Sequence, residues 1–274
     1  MSTRLSNVGE LGLLAELEQR GLIVGVENDA AELEGGLIAT QDAMVEDVHF
    51  RLDWIGWHDL GWRAAAASLS DLAASGAEPS GLVVSLALPP DTAVSDVIEL
   101  YEGIAETGVS VIGGDTTSAK SVIVSVTALG RSPRVPGRGG AQPGDKLVVT
   151  GQLGRAGAAF RNRSYARFPL RFEEGRKLAA HAHALLDISD GIAVDAGHIA
   201  RRSGVRCVLE LRRVPLAPGA VIGDLGFGED YELLAAVEDA DGFAVVGHVE
   251  EGEGVQVLLD GEPHKLNGYE HFSV

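Results

Sequence analysis

The stretch His58-Asp-Leu-Gly-Trp-Arg-Ala-Ala-Ala-Ala-Ser-Leu-Ser-Asp-Leu-Ala-Ala-Ser-Gly-Ala77 decides the fold. Its spacing predicts a helix over 58–77, with Asp59 as a plausible cap, alanines through the middle, and Gly76 and Pro79 as the stop. The helix is small and apolar almost all round, the pattern of an element buried on every side. Yet Asp71 lies on the same stripe as Leu60, Ala64, Ala67 and Ala74, at spacings of three and four. A buried carboxylate left unpaired costs several kcal/mol or surrenders its charge. No Arg or Lys sits one turn away on that stripe, so Asp71 either meets a cation from elsewhere or accepts hydrogen bonds as an inter-helix bracket.

Five more acids share this placement. Asp29 follows the apolar Val24–Val26, Asp42 closes a short strand over 36–41, and Asp115 sits in a Gly113-Gly114-Asp115 turn between strands over 109–112 and 121–129. Asp187 and Asp190 bracket Ile188-Ser189 at the end of another strand. Singly each is an ordinary turn or cap residue. Together, carboxylates at the ends of buried strands beside glycines are what hard divalent cations require, and Mg²⁺ typically takes one or two carboxylates plus phosphate oxygens. Like charges about 4 Å apart repel by about 4 kcal/mol at an effective dielectric near 20, so six carboxylates cannot surround a polyphosphate without several cations between them. The chain has no G-x-x-x-x-G-K-[ST] loop, strand-linked G-x-G-x-x-G or kinase H-R-D loop.

Composition narrows the class. Of 274 residues, 22 are Lys or Arg and 40 are Asp or Glu, giving a formal charge of −18, which argues against a nucleic-acid or anionic-membrane partner. Hydrophobic residues at 45% can build a core in one large domain or two ordinary ones. No apolar run approaches the roughly 20 residues that span a bilayer, and Met1–Gly21 lacks a cleavage pattern, so a cytoplasmic location is expected. The lone Cys207 forms no internal disulfide and reads as a small buried hydrophobe.

Charge changes sign along the chain: 131–177 carries eleven Lys and Arg against three acids. The Pro-, Gly- and Arg-rich 131–144 reads as a domain linker, or as one long surface loop within a single domain. Before it, a strand over 81–88 and a helix over 93–106 complete the pattern. After it come strands over 146–150, 205–211, 231–237, 243–249 and 255–259, and helices over 173–183 and 190–202.

At Thr40-Gln-Asp-Ala-Met-Val-Glu-Asp-Val-His-Phe50, Ser68-Leu-Ser-Asp-Leu-Ala-Ala74, Gly113-Gly-Asp-Thr-Thr117, Asp187-Ile-Ser-Asp-Gly191, Gly228-Glu-Asp-Tyr-Glu-Leu-Leu234 and Gly268-Tyr-Glu-His-Phe272 the sequence resembles the thiamine-monophosphate kinases. These share a superfamily with aminoimidazole ribonucleotide synthetase, selenophosphate synthetase and the hydrogenase maturation factor HypE. The resemblance implies an α+β protein of two α/β domains, 1–135 for ATP, Mg²⁺ and dimerisation and 136–274 C-terminal, with the N-terminal sheet pairing across a homodimer. It implies ATP as co-substrate and phosphorylation of thiamine monophosphate to thiamine diphosphate, by direct in-line transfer with no covalent nucleophile. By matching position, Asp29, Thr40, Asp42, Asp71, Asp115, Asp187 and Asp190 would hold several Mg²⁺ ions. Tyr101, Gly114, Asp115, Arg138 and Ser189 would contact ATP, and His49, Glu229 and Tyr269 the thiamine phosphate, where a carboxylate suits the cationic thiazolium. The usual paired aspartates are here Asn28-Asp29, and Gln41 replaces a threonine, which bears on the metal count. Two other readings are an ATP-dependent relative acting on a different small substrate, and a non-catalytic nucleotide- or metal-binding relative. ADP release with and without thiamine monophosphate separates them.

Overall fold

The computed structural model describes residues 4–24 and 28–269; Glu27 and the last three residues of Gly268–Phe272 lie outside the described residues. In chain order, α1 (Leu5–Gln19), β1 (Ala31–Leu33), β2 (Leu37–Val45), α2 (Trp57–Ala74), β3 (Glu78–Leu88), α3 (Val94–Glu106), β4 (Val111–Ser118) and β5 (Ile123–Arg131) come first. Then follow β6 (Lys146–Val149), α4 (Arg155–Arg161), α5 (Phe172–Ala179), β7 (Ala184–Asp187), α6 (Ile192–Ser203), β8 (Arg206–Glu210), β9 (Leu233–Val237), β10 (Ala244–Glu250), β11 (Gly254–Leu259) and β12 (Glu262–Pro263). They form a five-stranded sheet, β1-β2-β5-β3-β4, and a seven-stranded sheet, β12-β11-β8-β10-β6-β9-β7. Among the described residues no helix is long and apolar enough to cross a membrane.

Strand β5 shows why the first sheet forms where it does. Val124, Val126 and Ala128 alternate with half-buried neighbours, so one face is committed to the core. That face carries α2, which packs on β2 and β5 and, at its other side, on α5 and on β7 of the second sheet. The alanine-rich helix is therefore wedged between the two sheets, with residues 64–70 all buried. Glycines set the approach: a Cβ at Gly61 would lie 1.9 Å from the Leu100 carbonyl oxygen, one at Gly103 would lie 1.8 Å from that of His58, and one at Gly175 would lie 2.1 Å from that of Ala73.

Several expectations need correction. Gly113-Gly114-Asp115 is not a turn but the middle of β4, parallel to β3 through the α3 crossover. Gly114 is needed there because a Cβ would meet the Val84 carbonyl oxygen at 1.9 Å. Asp42 does not end its strand; β2 continues to Val45 and Asp42 sits opposite Val126. Asp59 is not the cap of α2, whose N-cap is Gly56; its carboxylate instead receives Arg167, 2.7 Å away. Helix α6 starts at Ile192 rather than Asp190. Helices α1 and α4 carry no strong apolar stripe and were not expected. Residues 132–145 contain no helix or strand, yet Arg134 within them donates to the carbonyls of Ala179 and Ala182.

Candidate active site

Wedging α2 between two sheets delivers its last turn to the start of β1, the end of β7 and the middle of β2. Asp71 meets Asp29, just before β1, and Asp187, the last residue of β7; an oxygen of each lies within 4.8 Å of oxygens of the other two. Thr40 of β2 donates its hydroxyl to an Asp71 oxygen and lies 3.2 Å from the Asp29 carbonyl. Ser70 donates to Asp187 at 2.6 Å, and Ser68 to the Val126 carbonyl at 2.8 Å. Asp42 stands beside this trio with its Oδ2 buried and without a hydrogen-bond partner.

The electrostatics are unfavourable by themselves. Asp71 is held well above the ordinary carboxylate range, first by burial and then by the negative charges of Asp42, Asp187 and Asp29. Asp187 is also held well above that range, again by burial and then by Asp29. Burial also raises Asp42 and Asp29, the latter against the opposing pull of Arg138. Arg138 places Nε and Nη2 each 2.6 Å from Asp29 Oδ1, while Asn28 accepts its backbone N–H at 3.0 Å. One guanidinium does not balance four carboxylates. An all-oxygen donor set, buried, mutually repelling and with an orphaned oxygen, fits a hard divalent cation.

Asp190 joins through its backbone. Its carbonyl accepts the Tyr269 N–H at 3.0 Å, and the Ser189 carbonyl accepts the Glu229 N–H at 2.8 Å. Gly228 permits this strap, since a Cβ there would lie 2.2 Å from the Ser189 carbonyl oxygen. The Tyr269 hydroxyl is raised by burial and by the nearby Asp190 and Glu229 charges. His49, at the turn after β2, accepts the Val45 N–H on Nδ1 at 3.1 Å. Three expected residues lie elsewhere. Tyr101 is half-buried on α3, and Gly114 and Asp115 are exposed on β4. Gly114 is in register with Asp42 three strands away, through Val84 and Val126, which at the usual strand spacing is about 14 Å.

Sequence reasoning missed other residues here. Arg63, in the middle of α2, is 3% exposed and puts Nη2 2.7 Å from Glu229 Oε2. Asp195 is buried and accepts the Asp190 N–H at 3.2 Å, and lies with Asp190 and His198 in a second oxygen-and-nitrogen group. Glu232, fully buried, is gripped by Arg171 at 2.6 and 2.8 Å and by the Thr150 hydroxyl at 2.6 Å. Asp230 accepts the Gly154 and Ala156 N–H groups at the start of α4, and burial lifts it to about 6. The signal for Arg63 and Ser70 was present: both are polar residues inside an otherwise alanine-rich buried helix.

The two-sheet fold and its acid-lined junction define the AIR synthase-related class, and residues 27–132 match the family model "AIR synthase related protein, N-terminal domain". The chain is 32% identical to a thiamine-monophosphate kinase of Aquifex aeolicus over 98% of this chain and 100% of that one. It is 36% identical to one of Methanopyrus kandleri over 85% of each. Among solved structures, "AaThiL complexed with AMPPCP and TMP" superposes with a TM-score of 0.88 at 30% identity, covering 99% of both chains. The chain belongs to the thiamine-monophosphate kinase family.

Proposed function

We propose that the protein transfers the γ-phosphoryl group of ATP to thiamine monophosphate, giving thiamine diphosphate, in the cytoplasm. The observation that carries this reading is the convergence of Asp29, Asp71 and Asp187, with Asp42 beside them, in a buried all-oxygen cluster. Asp29, Asp42, Asp71, Asp187 and Asp190 would hold Mg²⁺ ions, which would supply charge neutralisation for the two anionic reactants. Thr40 orients the Asp71 carboxylate and Ser70 that of Asp187. Arg138, 26% exposed over Asp29, serves the ATP phosphates, for which its planar fork is suited. Ser189 serves the nucleotide, while His49, Glu229 and Tyr269 line the thiamine phosphate site. The acceptor phosphate oxygen is itself the nucleophile, so the chain contributes placement and charge compensation, with no covalent intermediate.

Division into 1–135 and 136–274 and assembly as a homodimer belong to the same reading. Strand β4 is an edge whose eight residues are all exposed, including Val111 and Ile112. A second copy covering this edge carries Gly114 and Asp115 toward the nucleotide and metals of its partner, which the distance from Asp42 denies them in their own chain. The deciding experiment is initial-rate ADP release with and without thiamine monophosphate and Mg²⁺. Release that depends on both is expected; release indifferent to thiamine monophosphate would overturn the proposal.

A further inference from the structure

Arg63 and Glu229 form a pair that the phosphoryl-transfer chemistry leaves unexplained. Arg63 lies in the middle of α2, 3% exposed, under the Tyr165 ring at 5.1 Å. Its Nη1 reaches only the Ala166 carbonyl at 3.4 Å, and its Nε faces no hydrogen-bond acceptor. Nη2 lies 2.7 Å from Glu229 Oε2, a single ion-pair contact rather than a two-pronged fork. Glu229 itself, 21% exposed, is fixed with φ of 56° between Gly228 and Asp230. Non-glycine residues adopt this conformation only where surrounding structure enforces it, as at ligand clamps.

The pair has no net charge, so it offers little attraction to a cationic thiazolium. It offers something else. A carboxylate has about four lone-pair sites, and contact with one guanidinium nitrogen leaves several for a donor from the cleft. We propose that Arg63 is a positioning residue that holds Glu229 as an ionised hydrogen-bond acceptor for the exocyclic amino group of the aminopyrimidine ring. Recognition at this point then reads the amino group rather than the positive charge of the other ring. The aromatic wall of Trp54, Phe160 and Tyr165, with Trp54–Phe160 centroids at 5.3 Å and Trp54–Tyr165 at 6.3 Å, gives such a flat ring a surface nearby.

This inference rests on the function proposed above, and the test separates the two. Steady-state kinetics would compare thiamine monophosphate with its analogue bearing an oxo group in place of the pyrimidine amino group. The unmodified protein is expected to disfavour the analogue by about tenfold or more in kcat/KM, because a donor is replaced by an acceptor facing a carboxylate. Glu229→Gln, whose amide can donate, should erase or reverse that preference. Arg63→Met should raise KM for thiamine monophosphate by about tenfold with KM for ATP unchanged, and Arg63→Lys should restore most of the loss. If Arg63→Met fails to fold, the Glu229→Gln comparison decides alone. An unchanged preference in Glu229→Gln, with thiamine monophosphate still phosphorylated, would sink the inference. Failure of the unmodified protein to phosphorylate thiamine monophosphate would instead remove the proposed function and this inference with it.

Discussion

Asp71 is the residue on which the chemistry and the folding energetics pull in opposite directions. Asp71→Asn should lower turnover by orders of magnitude while far-ultraviolet circular dichroism stays unchanged. The metal-free variant should melt no lower than the parent, because a buried like-charge contact has been removed. Near-parental turnover would refute the role given to this carboxylate. The pH dependence has a definite sign. Asp71 and Asp187 are raised in the folded state above their unfolded values, so the folded state binds more protons across that interval. Their contribution to stability is therefore present below the ordinary carboxylate range and is lost as pH rises through the raised values. Mg²⁺ should accordingly raise the melting temperature more at pH 8 than at pH 5, as differential scanning fluorimetry would read. Asp71 was legible from sequence because a carboxylate interrupts an apolar stripe. Arg63 in the same helix stands out as a polar residue among alanines, but its pairing does not, because Glu229 lies far along the chain and local spacing carries no trace of it.

At the scale of the element, α2 shows where local propensity loses to packing. Gly61→Ala in an isolated helix would stabilise by up to about 1 kcal/mol. Here its Cβ would lie 1.9 Å from the Leu100 carbonyl oxygen, so α2 and α3 must separate. The substitution should destabilise by about 1–3 kcal/mol, measured by urea denaturation. A gain in stability would show that the α2–α3 contact is not tight. The helices and strands expected from periodicity correspond to α2, α3, α5, α6, β2, β3 and β5 through β11 with boundaries shifted by a few residues. The error at Gly113-Gly114-Asp115 has a plain cause. Glycine pairs signal turns, but here Gly114 allows close approach to the Val84 carbonyl within a parallel pair.

For the whole molecule, the two sheets were visible as an alternation of elements on either side of 131–144, whereas the helix wedged between them was not. Composition says that α2 is buried; only the assembled chain says that it is buried by both sheets at once. Six carboxylates were expected to converge, yet only those within reach of that helix do so, and Asp115 stands at the far edge of its sheet. This makes assembly testable. Ile112→Lys on the edge strand, where Ile112 is 61% exposed, should shift sedimentation from dimer to monomer and abolish turnover while preserving the melting of the single chain. A variant that remains dimeric and active would remove β4 from the interface. Finally, the heptapeptide Gly228–Leu234 gives neighbouring residues unrelated jobs: close approach to Ser189, a partner for Arg63, the cap of α4, a ring stacked on Phe168 and an anchor for Arg171. Saturation mutagenesis will find this run intolerant almost throughout. Most of that intolerance will report failed expression rather than impaired phosphoryl transfer, and only the second position will yield abundant, well-folded protein with altered substrate choice.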